Sequence, residues 1–326
     1  MKKNIISIFI MSVLIFFTMQ ILLSSEKVLE TVGFSFNIWK NSIFPSLFPF
    51  FVISEILVNY GFIEFVGELF KPIMQTVFKT NGSAAYVFIM GMISGFPSSA
   101  KYTRELYNQG LISAKEGEKI LMFTHFSNPL FILGTISITF LNNKDVGLLI
   151  LICHYITNII IGLIFRNYAA SKNENIKFSL KSAIKLMTDH RIKNKKSFGE
   201  IISTAVINTV NTLLLILGTI TLFLIITTII DKNINLNPYY QAILNGIIEM
   251  TQGLKYISIL EIPLKLKTII STIFISFGGL SVHMQIISIL SDTKIKYYPF
   301  LVSRILHATI SGLLVFFTFD FWINIH

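Results

Sequence analysis

Apolar runs of membrane-crossing length alternate along this chain with short polar connections, and several of those runs are interrupted where a continuous helix would be expected. Residues 5–23 follow Met1-Lys2-Lys3-Asn4 and are long enough to span a bilayer. No small-x-small cleavage site precedes Ser24-Ser25-Glu26, so the run is read as an uncleaved first helix. A short polar connection over 24–40 leads to a span over 41–60 that contains Pro45, Pro49 and Glu55. In residues 62–78, Phe62, Phe65, Val66, Leu69, Phe70, Ile73 and Val77 recur at helical spacing with Glu64, Glu68, Lys71 and Gln75 between them. That pattern predicts an amphipathic helix lying in the interface. Residues 84–93 are apolar but too short to cross, and Gly95-Phe96-Pro97 ends them, which predicts a re-entrant hairpin over 84–100. A capping box at Ser113–Glu116 precedes a span over 120–141, interrupted at Ser127-Asn128-Pro129 where proline cannot continue the hydrogen-bond ladder. A span over 146–165 follows.

The second half has a related order. A basic connection, 166–198, precedes a long span over 200–230. Residues 239–248 are again too short to cross, and Glu249–Gly253 interrupts them, predicting a second re-entrant hairpin over 239–262. The span over 267–290 is broken at Phe277-Gly278-Gly279-Leu280-Ser281-Val282-His283, and a last span covers 299–319. The fold expected is an all-α polytopic membrane protein. It has an inverted-topology repeat with two re-entrant hairpins and two broken transmembrane helices. Its parts are an N-terminal segment 1–40, a first gate-like repeat 41–165, the basic loop 166–198 and a second repeat 199–326.

Composition excludes the soluble classes. Hydrophobic residues make up 53% of the chain and charged residues 13%, with a mean hydropathy of +0.69. An ordinary soluble protein carries about a quarter charged residues. The net charge of +10 is spread between apolar segments, so nucleic-acid binding is not indicated and the positive-inside rule accounts for it. Arg166, Lys172, Lys177, Lys181, Lys185, Arg191, Lys193, Lys195 and Lys196 face only Glu174 and Asp189. Placing this loop and Lys2-Lys3 inside puts the N-terminus in the cytoplasm and the C-terminus outside, provided that 84–100 returns to its own side. Lys255, Lys265 and Lys267 then fall outside, against the rule. Part of the basic loop, with Ile176, Leu180, Ile184 and Met187, reads either as a surface helix for anionic lipid or as a topology-setting loop. The lone Cys153 leaves no disulfide framework or thiolate metal cluster.

Four motifs carry a family resemblance. They are Gly91-x3-Gly95-Phe96-Pro97-x2-Ala100-Lys101, Phe126-Ser127-Asn128-Pro129-Leu130-Phe131, Glu249-x-Thr251-x-Gly253, and Ser276–Val282 with His283-x-Gln285. In this order, over nearly the whole chain, they resemble the YlbJ family of sporulation integral membrane proteins. The sequence departs from that pattern at Ser99, where glycine is expected. The resemblance implies a nucleoside-recognition or gate domain, shared with concentrative nucleoside transporters and the membrane part of ferrous-iron transport protein B. It also implies a role in making the spore cortex in endospore-forming bacteria.

Candidate site residues cluster at the interruptions. Ser94, Ser98, Asn128, Thr251, Gln252, Ser281 and Gln285 supply uncharged hydrogen-bonding groups, and Glu249 supplies a carboxylate that must be paired, protonated or facing water. They suit a small polar solute near the midplane, with Glu249 as a coupling or substrate group; capping of broken helices is the other reading. His125 and His283 are candidates for a proton relay. Gly95, Pro97, Pro129, Gly253, Gly278 and Gly279 are assigned to the breaks. No catalytic motif, metal-ligand spacing or cofactor motif occurs. The leading expectation is a transporter-like protein in the cell membrane, with the bilayer and other sporulation membrane proteins as partners. The alternative is a non-transporting scaffold or regulator of cortex assembly, and an enzyme ranks last.

Overall fold

The computed structural model describes residues 2–171 and 179–325, and every regular element among them is helical. Six helical stretches are long and apolar enough to cross a membrane: Ile5–Leu23, Ser25–Asn59, Lys144–Ile164, Phe198–Asn233, Leu264–Ile289 and Tyr298–Ile323. The protein is an all-α, multi-pass membrane protein. Helix α1 (Lys2–Leu23) exposes apolar side chains around its circumference, as a lipid-facing helix outside the bundle does.

Residues 24–40 are not the polar connection that their charges suggest. Helix α2 (Ser25–Ile38) passes through a π-helical turn, Trp39–Ile43, into α3 (Phe44–Asn59), making one helix of 35 residues. At the usual rise it is about 52 Å long, well beyond the roughly 30 Å of hydrocarbon it crosses. The chain stays helical because one face finds a partner in the long α10 (Phe198–Asn233). The hydroxyls of Thr31 and Ser35 lie 2.8 Å from those of Thr228 and Thr221. Trp39 Nε1 donates to the Leu213 carbonyl at 2.9 Å. The widened turn falls just before Pro45, whose ring and missing N–H disturb an α-helical ladder.

The amphipathic pattern at 62–78 forms α4 (Phe62–Thr76), and two helical hairpins follow the short apolar runs. The first pairs α5 (Ala84–Ser94) with α6 (Ser98–Asn108), and the second pairs α11 (Pro238–Ile248) with α12 (Met250–Ile259). Both expected broken spans are broken. Helix α7 (Ala114–Phe123) gives way to non-helical backbone at 124–128, and the chain resumes in a π-helix, Phe131–Phe140. Helix α13 (Leu264–Phe277) stops at Gly278 in the left-handed region, and α14 (Gly279–Ile289) starts again at once. Helix α8 (Lys144–Ile164) and the last helix, α15 (Tyr298–Ile323), back these breaks. Leu149, Ile150, Phe274, Ile275 and Val315 are buried between α8, α13 and α15.

The connections sort into two ends of the bundle. At one end Arg104 donates to both Asp292 carboxylate oxygens, and Lys119 Nζ donates to the carbonyls of Lys79 and Arg166 at 2.8 and 2.7 Å. Burial pushes that Lys119 ammonium down to about 8. Asn81 Nδ2 reaches the Leu111 carbonyl at 3.2 Å, which brings together the two outer ends of the first hairpin. At the other end Lys232 Nζ donates to Ser24 Oγ at 2.6 Å, Tyr256 to Asp231 at 2.9 Å, and Trp322 to the Asp145 carbonyl at 2.9 Å. The basic segment lies at the first end, where α9 (Leu180–Lys193) docks on α4 with His190 Nδ1 2.6 Å from Glu64. Lys172, Glu174, Ile176 and Lys177 lie outside the described residues.

Candidate functional site

Each hairpin tip touches the break in its own half of the chain. Gly95 has φ +76°, and a side chain there would meet the Asn128 backbone nitrogen at 2.5 Å, so only glycine lets the first tip close on the first break. In the second half Gly279 has φ +68°, and a Cβ there would lie 2.9 Å from the Met250 nitrogen. Between the two contacts lies a small cavity of about 40 Å³. Phe96, Ser127 and Asn128 line it from the first half, and Glu249, Met250 and Gln285 from the second. Helices α3 and α10 complete the wall through Ser46, Leu47, Ile216 and Ile220.

Glu249 is fully buried and occupies the one-residue gap between α11 and α12. Its side chain caps α12: one carboxylate oxygen accepts from Gln252 N at 3.0 Å and from the Thr251 hydroxyl. The other accepts from Ser281 Oγ at 3.3 Å, across the break in α13–α14. No cation pairs with it among the described residues. Asn128 plays a comparable part in the first half. Its Oδ1 accepts from Leu130 N at 2.8 Å, and its Nδ2 faces the carbonyls of Ile93, Ser94 and Ser46 at 3.1 to 3.3 Å. Two polar atoms on the cavity wall have no partner, Ser127 Oγ and Gln285 Nε2, on side chains exposed by 0% and 1%.

Of the candidate residues, Asn128, Glu249 and Gln285 line the cavity, while Thr251 and Ser281 stand behind Glu249 as its donors. Ser98 donates to the Gly95 carbonyl and shapes the first tip from outside the cavity wall. Ser94 Oγ lies 3.4 Å from Ser54 Oγ, and the next residue of α3, Glu55, forms an ion pair with Lys101. Gln252 faces away into a polar cleft of about 300 Å³ between α2, α10 and α12, shared with Lys27, Glu30, Asp231, Lys232 and Lys255. Pro97 caps α6 and Pro129 opens the segment after the unwound strand. Gly253, assigned above to the break, instead sits inside α12. A Cβ there would meet the Gly246 Cα at 2.2 Å, so this glycine lets α11 and α12 touch. His125 and His283 are in no direct contact among the described hydrogen bonds and ring pairs. Both pack on the Phe300 ring, with centroids at 4.9 and 5.3 Å, and His283 is held by Tyr297 and the Phe277 carbonyl.

A set of residues not singled out in the sequence holds the unwound strand. Arg304, fully buried on α15 and without a carboxylate partner among the described residues, donates to the carbonyls of His125 and Met122. Asn158 Nδ2 reaches the His125 carbonyl at 3.3 Å, and His154 Nε2 accepts the Ser127 N–H at 3.0 Å. Tyr155 donates to the Met92 carbonyl at 2.5 Å, tying α8 to the first hairpin. Non-helical backbone in a membrane protein must be satisfied by such partners. A single arginine inside an apolar run was the available signal.

Sequence comparison accords with this architecture. The "Gate: Nucleoside recognition" family matches residues 42–144, which span the first hairpin and the first break. The chain is 31% identical to sporulation integral membrane protein YlbJ of Bacillus subtilis (strain 168) over 337 aligned positions, covering 96% of this chain and 83% of that protein. The chain belongs to the YlbJ family. No solved structure matches it. The Gate match ends before α9 and the second hairpin, so the YlbJ-family likeness, not the domain, covers Glu249.

Proposed function

We propose that the protein binds a small polar solute in the cavity between the two hairpin tips and carries it across the membrane by alternating access. The observation that carries this reading is the meeting of Asn128, Glu249 and Gln285 at one buried cavity, with Ser127 Oγ and Gln285 Nε2 left to hydrogen-bond an occupant. Four helix interruptions converging at one point near the middle of a bundle are how transporters expose backbone and polar groups to a substrate. At about 40 Å³ the cavity takes water but not a metabolite, so solute binding requires the tips to part. In this reading residues 84–100 and 239–262 re-enter the membrane from opposite sides and the two halves form an inverted repeat. Glu249 contacts the solute or a coupling ion, and Gln252 passes the solute between the cavity and the polar cleft.

The relative's name places it in sporulation, and the same process is proposed here, with formation of the spore cortex as the step served. A second reading, a non-transporting scaffold for cortex assembly, draws on the capping roles of Glu249 and Asn128, which both tie up their side chains in local hydrogen bonds. The variants Glu249→Gln and Asn128→Ala separate the two. Expected for a transporter is normal protein level in the membrane with cortex formation lost. If both variants insert normally and build cortex like the parent, the binding site is wrong and the scaffold stands.

A further inference from the structure

Helix α9 carries more than the charge that fixes topology. From residue 179 to 197 six cations, Lys181, Lys185, Arg191, Lys193, Lys195 and Lys196, stand against the single acid Asp189. Ser179 caps the helix by accepting from Ser182 N at 3.1 Å, so the segment is a defined helix and not merely a basic loop. One face packs on α4. Ala183 is buried there, His190 pairs with Glu64, and a side chain on Gly61 would meet the Met187 carbonyl at 2.7 Å. Beside that face, Leu180 and Ile184 are one turn apart and exposed by 49% and 46%. Next round the helix come Lys181 and Lys185, both exposed.

This order of packed face, apolar flank and cationic flank is that of a helix lying in a membrane interface. Its position supports the same conclusion. Only four residues, 194–197, separate α9 from the membrane-crossing α10, and Arg191 stacks 4.7 Å over Tyr60 at the end of α3. The positive-inside rule needs cations near the spans. It gives no reason for an exposed leucine and isoleucine on a capped helix docked against the amphipathic α4.

We infer that α9 is a membrane-surface helix: Leu180 and Ile184 enter the acyl boundary of the adjacent leaflet, while Lys181, Lys185 and Lys193 hold anionic lipid headgroups. Binding of this kind is strengthened by anionic lipid and weakened by salt. It also fixes α4, and with it the outer ends of the first hairpin, against the bilayer.

The test uses the full chain with Cys153→Ser and Ile184→Cys, labelled with an environment-sensitive fluorophore and reconstituted in vesicles of phosphatidylcholine with or without phosphatidylglycerol. Brominated acyl chains are expected to quench the label in phosphatidylglycerol vesicles. The triple variant Lys181→Gln, Lys185→Gln, Lys193→Gln should return quenching to the phosphatidylcholine level while the protein stays monodisperse. A label on Asp189→Cys, across the helix from Ile184, should remain unquenched, and Leu180→Cys should repeat the Ile184→Cys result. A label equally wet in both vesicles overturns the inference. So does quenching indifferent to the three lysines, or protection that appears only when an acidic protein is added.

Discussion

At the scale of single residues, the backbone of 124–128 shows how this protein tolerates non-helical chain. Its carbonyls and amides are met by Arg304, Asn158, His154 and Tyr155, which come from α8 and α15, far away in sequence. Arg304 is the largest fully buried side chain among the described residues and carries its charge with backbone carbonyls as partners. Two effects oppose each other on its removal. Losing a buried charge relieves desolvation, but Arg304→Met leaves the Met122 carbonyl without its donor, at about 1–3 kcal/mol for a buried group. The His125 carbonyl retains Asn158, so the loss there is partial. We expect a net destabilisation of about 2 kcal/mol, read as a lower melting temperature in detergent, with Arg304→Lys in between. Equal melting temperatures for Arg304→Met and the parent would mean that desolvation relief dominates.

At the scale of elements, what was legible in the sequence depended on contrast with the apolar background. Pro129, Gly278 and the carboxylate of Glu249 stand out in runs that would otherwise be helical, and the breaks were therefore placed within a few residues. Gly253 misled because a glycine beside a polar residue resembles a break. Its actual reason, contact with Gly246 across the hairpin, involves a pairing that no local pattern encodes. Helix α2 was missed for a related cause. Glu26, Lys27 and Glu30 mark its open face, while the face that keeps it helical is built of hydroxyls that match hydroxyls on α10. The continuous helix is directly testable. Thr31→Cys with Thr228→Cys, in a Cys153→Ser background, should form an intramolecular crosslink under mild oxidant, because the parent hydroxyls are 2.8 Å apart and disulfide geometry tolerates Cβ separations of about 3.5–4.5 Å. A flexible polar connection at 24–40 predicts little crosslink, or crosslinks spread equally to neighbouring positions.

At the scale of the whole molecule, the three lysines that oppose the positive-inside rule each have a partner. Lys255 Nζ sits 4.1 Å over the Phe34 ring, Lys265 pairs with Asp320 at 2.5 Å, and Lys267 donates to the Ser258 carbonyl at 2.7 Å. Engaged cations of this kind can stand outside without setting orientation, whereas Lys181, Lys185, Lys193, Lys195 and Lys196 are exposed together on one segment. The ties at the bundle ends fit that division. Arg104 and Asp292 bring the connection after α14 to the end that carries α9, and Lys232 and Ser24 meet at the other. In the inverted-repeat arrangement proposed above, the outer ends of the two hairpins would lie on opposite sides of the molecule, the first at the basic end. We propose that the larger, exposed charge sets the orientation and that the α9 end is the cytoplasmic one. In a Cys153→Ser background, Lys294→Cys should react with a membrane-impermeant maleimide only in inverted vesicles, and Glu261→Cys only in intact protoplasts. Both positions are exposed in loops, so failure to label is not expected from burial. If the two residues label from the same side, an odd number of crossings no longer separates them, and the second broken helix α13–α14 does not traverse the bilayer. The paired hairpin tips would then have to approach from one side, and alternating access between them would lose its geometric basis.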